Sequence, residues 1–437
     1  MRRGGRPGNL GVRRVVRAQW VDQVPLRVAV LSTHTCPLAP LGGWETGGMN
    51  VYVRELGRAL AARDVAVDIF TRRQARDVPD VVEYAPGARV IHIDAGPHRH
   101  VDKYDVLDYL PEFACGVQRF RALTGVSYDV IHSHYWLSGR LGLLFADHWG
   151  VPLVSTFHTL AQLKNRVAES TAEREQAVRY DIEQRTMAGS DRVVALTAID
   201  RQQTIRHYGA PTPISVIPGG VDLELFAPQP RLEARAALGL GATEKVLLFV
   251  GRIQRLKGLE ILLRAFAQMS DLDARVLIVG GQPGTSHESR EISRLHHLAA
   301  RLGITERTTF VGPVAHGRLP LYYSAADATV MPSSYESFGL VAVESLACGT
   351  PVVATRVGGL TSIVRDGETG LLVPWRDADL FAERLRRVLE DETLRGRLAG
   401  QARASVLEYG WDRIADEHLA LYADVRASSR PRVAAGS

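Results

Sequence analysis

The chain has few cysteines and no long apolar run. Its three cysteines, Cys36, Cys115 and Cys348, are spread over 437 residues. Because they are odd in number and widely spaced, they predict neither a disulfide framework nor a metal site, which fits a protein of the reducing cytoplasm. We expect Cys348 to pack as a small buried residue. No apolar run approaches the roughly 20 residues needed to cross a bilayer, so no stable membrane insertion is expected.

A strong excess of charge is also missing. The formal net charge is +5, with 46% hydrophobic and 23% charged residues, as in a globular protein. Six arginines lie within residues 1–17, a segment without the apolar core of a signal peptide. We interpret residues 1–24 as a basic, disordered tail. A nucleic-acid-binding arm is the weaker alternative, so no nucleic acid is expected as a partner.

Several common catalytic motifs are missing as well. The glycine-rich loop before residue 50 does not have the G-x-G-x-x-G spacing of dinucleotide-binding proteins. Nothing resembles a P-loop or a Ser-His-Asp triad, and no zinc-ligand pattern is present. The sequence therefore predicts no protein-held metal and no required cofactor.

Short apolar strands alternate with helical patterns, and the alternation restarts at residue 245. A chain of 437 residues is too long for one ordinary core. The alternation predicts an α/β fold of two doubly wound, Rossmann-like domains that face a central cleft. Strands are predicted at residues 26–32, 65–70, 89–93, 130–133, 153–156, 192–196, 214–217, 245–251, 274–280, 308–311, 328–331, 351–354 and 370–373.

The same pattern predicts the domain boundaries. A Pro-Gly-Gly turn opens a stretch without strands or helices, as in a linker. A long helical pattern near the end of the chain could cross back over the first domain. The predicted segments are a first domain at 25–217, a linker at 218–230, a second domain at 231–400, a crossing helix at 401–426 and a tail at 427–437.

Residues 336–344 carry the most chemical information. Two carboxylates, Glu336 and Glu344, flank an apolar run, and the Phe-Gly-Leu sequence between them predicts that only the second lies on a helix. Backbone N–H groups at a helix start favour phosphate, and a carboxylate can bind two vicinal sugar hydroxyls. The pair indicates a site for a phosphate-linked sugar. A solvated loop glutamate and an ordinary helix glutamate are the alternative.

Two basic residues follow the strand predicted at 245–251. Arg252 and Lys257 lie in the loop before a helix predicted at 258–269, well placed for a diphosphate. A solvated basic loop is the alternative. The glutamate pair weakens that alternative, because a nucleotide sugar needs both diphosphate and sugar contacts.

Glycines and histidines follow the strands of the first half. Gly47 and Gly48 precede a helix predicted at 50–62, where glycine lets backbone N–H groups approach a phosphate. Asn50 has a second interpretation as the N-cap of that helix. Hydrogen bonding to a hydroxylated ligand suits the histidines better than metal binding. The strand ends that carry a histidine give His34, His134 and His158.

Together these motifs resemble the retaining glycosyltransferases of the GT-B class, in the large family that includes sucrose-phosphate synthases. The resemblance covers nearly the whole chain. A closer resemblance, to the D-inositol-3-phosphate glycosyltransferases, rests on the motifs at 47–53, 132–139 and 158–165. It implies transfer of N-acetylglucosamine from its UDP donor to an inositol phosphate, the first glycoside of mycothiol synthesis. The partners are then a UDP-sugar and a phosphorylated acceptor.

The resemblance also implies a role for each candidate residue. The first domain binds the acceptor through His34, Gly47, Gly48, Asn50, Lys103, Tyr135, Thr159 and Arg179. The second domain contributes most of the nucleotide-sugar site, which comprises Gly48, Arg252, Lys257, Glu336 and Glu344. The catalytic set is His134, His158, Arg252, Lys257 and Glu336. Lys103 and Arg179 are assigned by their spacing from matched motifs and not by a motif of their own.

The resemblance further implies front-face attack, in which the departing diphosphate helps to deprotonate the acceptor hydroxyl. Fixed cations then stabilise the leaving group, a peripheral Mg²⁺ is compatible with the site, and a homodimer is compatible with the family. Two other functions stay open. One is transfer to a hexose phosphate, as in sucrose-phosphate synthases, and the other is a non-catalytic nucleotide-sugar-binding protein on the same scaffold.

Overall fold

The computed structural model describes residues 25–40, 46–209, 211–281 and 286–428. The predicted basic tail at 1–24 and residues 429–437 of the predicted C-terminal tail lie outside the described residues. Residues 41–45 of the glycine-rich loop lie outside them as well. Gly47, Gly48 and all other candidate site residues are described.

The first sheet is mainly parallel. Its strands are β1 (Arg27–Leu31), β2 (Ala66–Arg72), β3 (Val81–Ala85), β4 (Ala88–Ile93), β5 (Val130–His134), β6 (Leu153–Thr156), β7 (Arg192–Ala195) and β8 (Ile214–Val216). Within the described residues the order is β3-β4-β2-β1-β5-β6-β7-β8, and only the edge pair β3–β4 is antiparallel. The strand order reverses between β1 and β5, where open α/β sheets bind their ligands.

The second sheet repeats this plan. Its strands are β9 (Lys245–Val250), β10 (Ala274–Val279), β11 (Thr308–Gly312), β12 (Ala328–Met331), β13 (Val352–Thr355) and β14 (Gly370–Val373). Within the described residues the order is β11-β10-β9-β12-β13-β14, and all pairs are parallel. Here the strand order reverses between β9 and β12.

Helices cover both faces of each sheet, which explains why the strands are continuous apolar runs. Val28 and Leu31 of β1 and Leu247 and Leu248 of β9 are fully buried. The helices are α1 (Gly48–Ala61), α2 (Leu110–Thr124), α3 (Tyr135–Trp149), α4 (Ala161–Val167), α5 (Ala177–Gly189), α6 (Ala198–Tyr208), α7 (Arg231–Ala237), α8 (Leu259–Ala267), α9 (Ser286–Arg301), α10 (Leu319–Ala325), α11 (Leu340–Ala347), α12 (Leu360–Ile363), α13 (Ala378–Glu390), α14 (Glu392–Ala402) and α15 (Trp411–Ser428). Cys348, directly after α11, is buried as predicted.

Helix α15 packs on the first sheet's side of the molecule. The Tyr52 hydroxyl lies 3.1 Å from His418 Nε2, and His132 Nδ1 lies 2.8 Å from the Tyr422 hydroxyl. The crossing helix predicted at 401–426 starts too early, because residues Arg403–Tyr409 form a 3₁₀ helix and α15 begins only at Trp411.

The two halves also touch across the cleft. Tyr335, which follows β12, is buried in a cluster with Phe157, Leu160 and Leu163 of the first half. The Ser337 hydroxyl donates a hydrogen bond to the main-chain carbonyl of His158. The loops after β6 and β12 are therefore held against each other.

Candidate active site

The candidate site lies between the two points where strand order reverses. His34 follows β1, Tyr135 follows β5, Arg252 follows β9 and Glu336 follows β12. Because the carboxyl ends of parallel strands share one edge of a sheet, each half brings its loops to one wall of the cleft.

Lys257 and Glu336 form an ion pair on the wall of the second sheet. Lys257 Nζ lies 2.6 Å from Glu336 Oε2, and both side chains are about one-fifth exposed. Lys257 ends a 3₁₀ turn, and the next residue, Gly258, has φ +71°. A Cβ on Gly258 would lie 2.0 Å from the Pro332 carbonyl oxygen, so this close approach requires glycine. The cation and the carboxylate predicted for the donor site thus lie side by side.

The loop after β13 contacts the loop that carries Glu336 and holds its main chain in place. The Gly359 N–H donates to the Glu336 carbonyl at 2.8 Å. A Cβ on Gly358, whose φ is +43°, would lie 2.0 Å from the same oxygen. Glu336 lies before α11 and Glu344 lies on it, as the sequence predicted.

Glu344 is buried and its carboxylate is already engaged. One oxygen lies 2.9 Å from His316 Nε2 and the other accepts a hydrogen bond from the Tyr323 hydroxyl at 2.8 Å. Burial and the neighbouring Glu344 carboxylate raise the pKa of Tyr323, which stays a hydrogen-bond donor. Each oxygen of the Glu344 carboxylate therefore already has one hydrogen-bond partner.

The start of α1 approaches the second half closely. A Cβ on Gly47 would lie 3.2 Å from Arg252 Nε, and a Cβ on Gly48 would lie 3.2 Å from Leu340 Cδ1. Glycine at both positions therefore lets the N-terminus of α1 and the Arg252 guanidinium face the same small volume. A helix N-terminus and a guanidinium both favour phosphate oxygens.

The Asn50 side chain forms hydrogen bonds with neighbouring residues of the first half. Its side chain is fully buried. Its amide donates to Thr35 Oγ1 and to the Cys36 carbonyl, both at 2.8 Å, and its Oδ1 accepts from the Gly47 N–H at 3.0 Å. The N-cap alternative is corrected, because Gly47 is the N-cap and Asn50 is the third residue of α1, where it ties the loop after β1 to that helix. The assignment of Asn50 as an acceptor contact stays a prediction.

Three cations of the first half surround one carboxylate. Lys103 Nζ lies 2.8 Å and 2.7 Å from the two oxygens of Glu175, and Lys164 Nζ contacts the same carboxylate. Arg179 Nη1 lies 3.1 Å from Glu175 Oε1. We call these four residues the cationic cluster. The structure thus brings Lys103 and Arg179 together, although 76 positions separate them in the sequence.

Arg179 also connects the predicted acceptor residues. Its side chain is fully buried, and Nη1 donates to the Tyr135 hydroxyl at 3.0 Å. Nη2 donates to Thr159 O at 2.7 Å and Thr159 Oγ1 at 3.1 Å, and Nε donates to Glu183 at 2.7 Å. The Tyr135 ring stacks on His34, with 4.4 Å between ring centroids. These contacts place four predicted acceptor residues in one continuous network.

Two residues that directly follow strands β5 and β6, or lie two positions beyond them, have a strained backbone. Tyr135 has φ +75° and His158 has φ +60°, and only four non-glycine residues of the described ranges have a positive φ. Left-handed backbone at such residues costs on the order of 1–3 kcal/mol and is often found where function requires it. In both cases it turns the chain at the end of a strand that faces the cleft.

The structure separates the roles of His134 and His158. His158 is half-buried at the cleft, whereas His134 is fully buried beneath it, with Nδ1 2.9 Å from His158 Nε2. His134 thus contacts the ring of His158 from inside the fold, and the assignment of both histidines to the catalytic set stays a prediction. Burial and then His132 lower the pKa of His134, and burial and then His34 lower the pKa of His158 to about 3. Both imidazoles are therefore neutral near pH 7.

Among the described residues, no group of three or more His, Cys, Asp or Glu side chains is arranged to hold a metal ion. In the same part of the chain, no helix is long and apolar enough to cross a membrane. The peripheral Mg²⁺, the cytoplasmic location and the homodimer stay predictions.

Known proteins place the chain in a family. Residues 46–225 match the family described as Glycosyltransferase Family 4, and residues 230–405 match Glycosyl transferases group 1. A D-inositol 3-phosphate glycosyltransferase of Nocardiopsis dassonvillei is 45% identical over 415 residues, or 94% of this chain and 96% of that protein. The protein of the same name from Geodermatophilus obscurus is 44% identical over 425 residues, or 95% and 93%.

The chain belongs to the D-inositol 3-phosphate glycosyltransferase family.

Solved structures give the same fold. Sucrose-phosphate synthase from Thermosynechococcus elongatus has a TM-score of 0.88 and 37% identity, and the match covers 92% of this chain and 100% of that one. Anabaena Alr3699/HepE, in complex with UDP and glucose, has a TM-score of 0.72 and 20% identity over 91% and 100%. The predicted α/β GT-B fold is confirmed, and the chain is a glycosyltransferase.

For a glycosyltransferase of this family, three important residues escaped the sequence argument. Glu175 and Glu183 flank Arg179 at a spacing of four residues, a signal that was present in the sequence. Lys164 lies inside the motif at 158–165 but was given no role. Lys164 was missed because its partner Glu175 lies outside that motif, and the contacts of Glu175 with Lys103 and Lys164 join separate segments of the chain.

Proposed function

We propose that this protein transfers N-acetylglucosamine from UDP-N-acetylglucosamine to 1D-myo-inositol 3-phosphate, with retention at the anomeric carbon. The observation that carries this proposal is the cationic cluster, in which Lys103, Lys164 and Arg179 converge at the cleft. Three cations suit the phosphate of an acceptor. The names of the two relatives support the same acceptor. The reaction forms the first glycoside of mycothiol synthesis.

The donor binds mainly to the second half. Arg252, Lys257 and the N-terminus of α1 bind the diphosphate, since they provide positive charge and N–H groups within one small volume. Glu336 binds hydroxyls of the transferred sugar. Glu344 binds the ribose after exchange of its contact with the His316 ring or the Tyr323 hydroxyl, since a ribose hydroxyl can donate to the same carboxylate oxygens.

The chemical step is a front-face substitution. The acceptor oxygen bonds to the anomeric carbon on the face from which UDP departs, and its proton passes to an oxygen of the leaving diphosphate. Arg252 and Lys257 stabilise the negative charge that develops there, which is usually the largest contribution to catalysis. His158 positions the sugar, and His134 fixes the orientation of the His158 ring. Neither histidine takes up the proton, because burial lowers the pKa of both imidazoles and makes them weak bases.

A second acceptor follows from one comparison. The 37% identity to a sucrose-phosphate synthase, across 92% of this chain, supports a hexose phosphate as the alternative. The cationic cluster recognises a phosphate in either case, so the two acceptors differ only in the ring that His34 and Tyr135 contact.

The experiment offers both acceptors to one enzyme. UDP-N-acetylglucosamine is incubated with inositol 3-phosphate or with fructose 6-phosphate, and UDP release, product mass and the anomeric proton coupling are measured. We expect a glycosyl-inositol phosphate with the α-configuration of the donor. If only fructose 6-phosphate gives a product, the acceptor is a hexose phosphate and not inositol phosphate. A product of inverted configuration would contradict the front-face step.

A further inference from the structure

We propose that Glu175 occupies, in the free enzyme, the place that the acceptor phosphate takes during the reaction, and thereby selects for a doubly charged group. This inference rests on the proposed function, because it requires a phosphorylated acceptor. Glu175 is then a specificity-determining residue, since an acceptor must replace it in order to bind.

The exposed fractions of the four side chains show which groups an entering phosphate meets first. The Glu175 side chain is 2% exposed and Arg179 is fully buried, whereas the Lys103 and Lys164 side chains are 19% and 24% exposed. A phosphate that enters from the cleft therefore meets the two lysines first. It reaches Arg179 Nη1 only where the Glu175 carboxylate now lies.

The other carboxylate at Arg179 is fixed in place. Glu183 is fully buried on α5 and accepts hydrogen bonds from Arg179 Nε at 2.7 Å and from the Ala161 N–H at 3.0 Å. The Tyr208 hydroxyl bonds to its second oxygen at 2.5 Å. Glu183 therefore holds Arg179 from the protein side, and Glu175 is the carboxylate that contacts it from the cleft side.

Glu175 sits where it can move outward. It lies in the stretch between α4 and α5, and among residues 168–177, all of which are described, it alone is buried. The side chain is held by polar contacts with Lys103, Lys164, Arg179 and Tyr104 rather than by apolar packing. A ligand that satisfies the same cations can therefore take its place.

The charges explain the preference for a dianion. Three cations face two carboxylates, Glu175 and Glu183, so the free site carries one excess positive charge. A phosphate monoester carries close to two negative charges at pH 7, and in place of Glu175 it neutralises that excess. A singly charged acceptor would only reproduce the free state.

The test uses Glu175→Gln, which keeps the shape of the side chain and removes its charge. The probe is inorganic phosphate, and its Kd is measured by isothermal titration calorimetry. We expect the Kd to fall by roughly tenfold, the order of one partly buried charge interaction. The KM for the phosphorylated acceptor should fall in parallel while kcat changes less. An unchanged or weaker affinity for phosphate would overturn the proposal, because Glu175 would then only support the pocket.

Two further variants keep the test interpretable. Glu173→Gln removes a carboxylate from the same stretch, where it pairs with Arg255 at 3.3 Å, and should leave the Kd for phosphate unchanged. Lys164→Met keeps Glu175 and removes one cation, so phosphate should bind more weakly. If Glu175→Gln does not fold, an unchanged Kd in Lys164→Met overturns the proposal.

Failure of the proposed function would look different. In one outcome, the wild-type enzyme glycosylates only fructose 6-phosphate and Glu175→Gln binds phosphate more tightly. The proposed acceptor would then be wrong, and the role of Glu175 would be supported. Wild-type enzyme that glycosylates inositol phosphate, with no change in phosphate binding in Glu175→Gln, would overturn the role of Glu175 and leave the function intact.

Discussion

Lys257 is the residue whose removal should harm the donor site most directly. Its ammonium lies 2.6 Å from Glu336 and is partly exposed to the cleft. We expect Lys257→Ala to lower kcat/KM for the nucleotide sugar by roughly tenfold or more, through loss of a charge-assisted phosphate contact. Steady-state kinetics with varied donor measure this.

A matched control is Arg264→Ala, which removes a cation of α8 that pairs with Glu260 at the surface. Exposed pairs contribute little, so its kinetics should stay near those of the wild type. Near-normal turnover of Lys257→Ala would contradict the assignment of Lys257 to the donor site.

At the scale of residues, loop position was predictable and side-chain partners were not. Arg252 and Lys257 directly follow a strand, so their place at the edge of a sheet follows from the sequence. The partners of Glu175 come from three separate segments, and only the folded chain brings them together. His134 ends β5 inside the fold while Tyr135 opens towards the cleft, a difference set by one left-handed backbone angle that no pattern revealed.

At the scale of elements, buried strands were the easiest to predict. The central parallel strands are apolar runs covered on both faces, and the predicted ranges fall within two residues of the observed bounds. The edge strand β3 was missed because Val81 and Glu83 are exposed and the segment shows no apolar run. The start of α15 was missed because a 3₁₀ helix continues the helical pattern before it.

The packing of α15 should depend on pH. His418 on α15 and His132 on β5 are fully buried, and burial lowers both pKa values, to about 4 for His418. The unfolded chain therefore binds protons below about pH 6.5 that the folded chain does not bind. Stability is complete above pH 6.5 and falls as the pH decreases, by up to about 1.4 kcal/mol per pH unit for each such group.

Thermal unfolding followed by circular dichroism at pH 7.5, 6.0 and 5.0 measures this loss. His418→Gln cannot titrate, so its Tm should fall less steeply between pH 7.5 and 5.0 than that of the wild type. Comparison of the two proteins cancels the contribution of other titrating groups to the slope. One of these is Asp200, because burial raises its pKa to about 6 and its effect on stability has the opposite sign. Equal slopes for both proteins would contradict a contribution from His418.

At the scale of the whole molecule, Tyr335 joins the two halves at the cleft. It belongs to the second half, yet it is 9% exposed and packs among Phe157, Leu160 and Leu163 of the first. The Ser337 hydroxyl donates a hydrogen bond to the His158 carbonyl, and its oxygen lies 3.0 Å from the Tyr335 hydroxyl. Apolar packing and a hydrogen bond therefore hold the loops after β6 and β12 together.

Tyr335→Ala should favour an open cleft. Loss of the buried ring removes the anchor, at a cost on the order of 3 kcal/mol, and an open cleft admits water to the donor. We expect higher KM values for both substrates, a larger ratio of donor hydrolysis to transfer, and a larger radius of gyration in small-angle X-ray scattering. Tyr335→Phe keeps the ring and should retain the closed dimensions. If Tyr335→Ala keeps both the wild-type radius and the wild-type hydrolysis ratio, the two halves are held together by their remaining contacts, and Tyr335 serves only the local packing of α4.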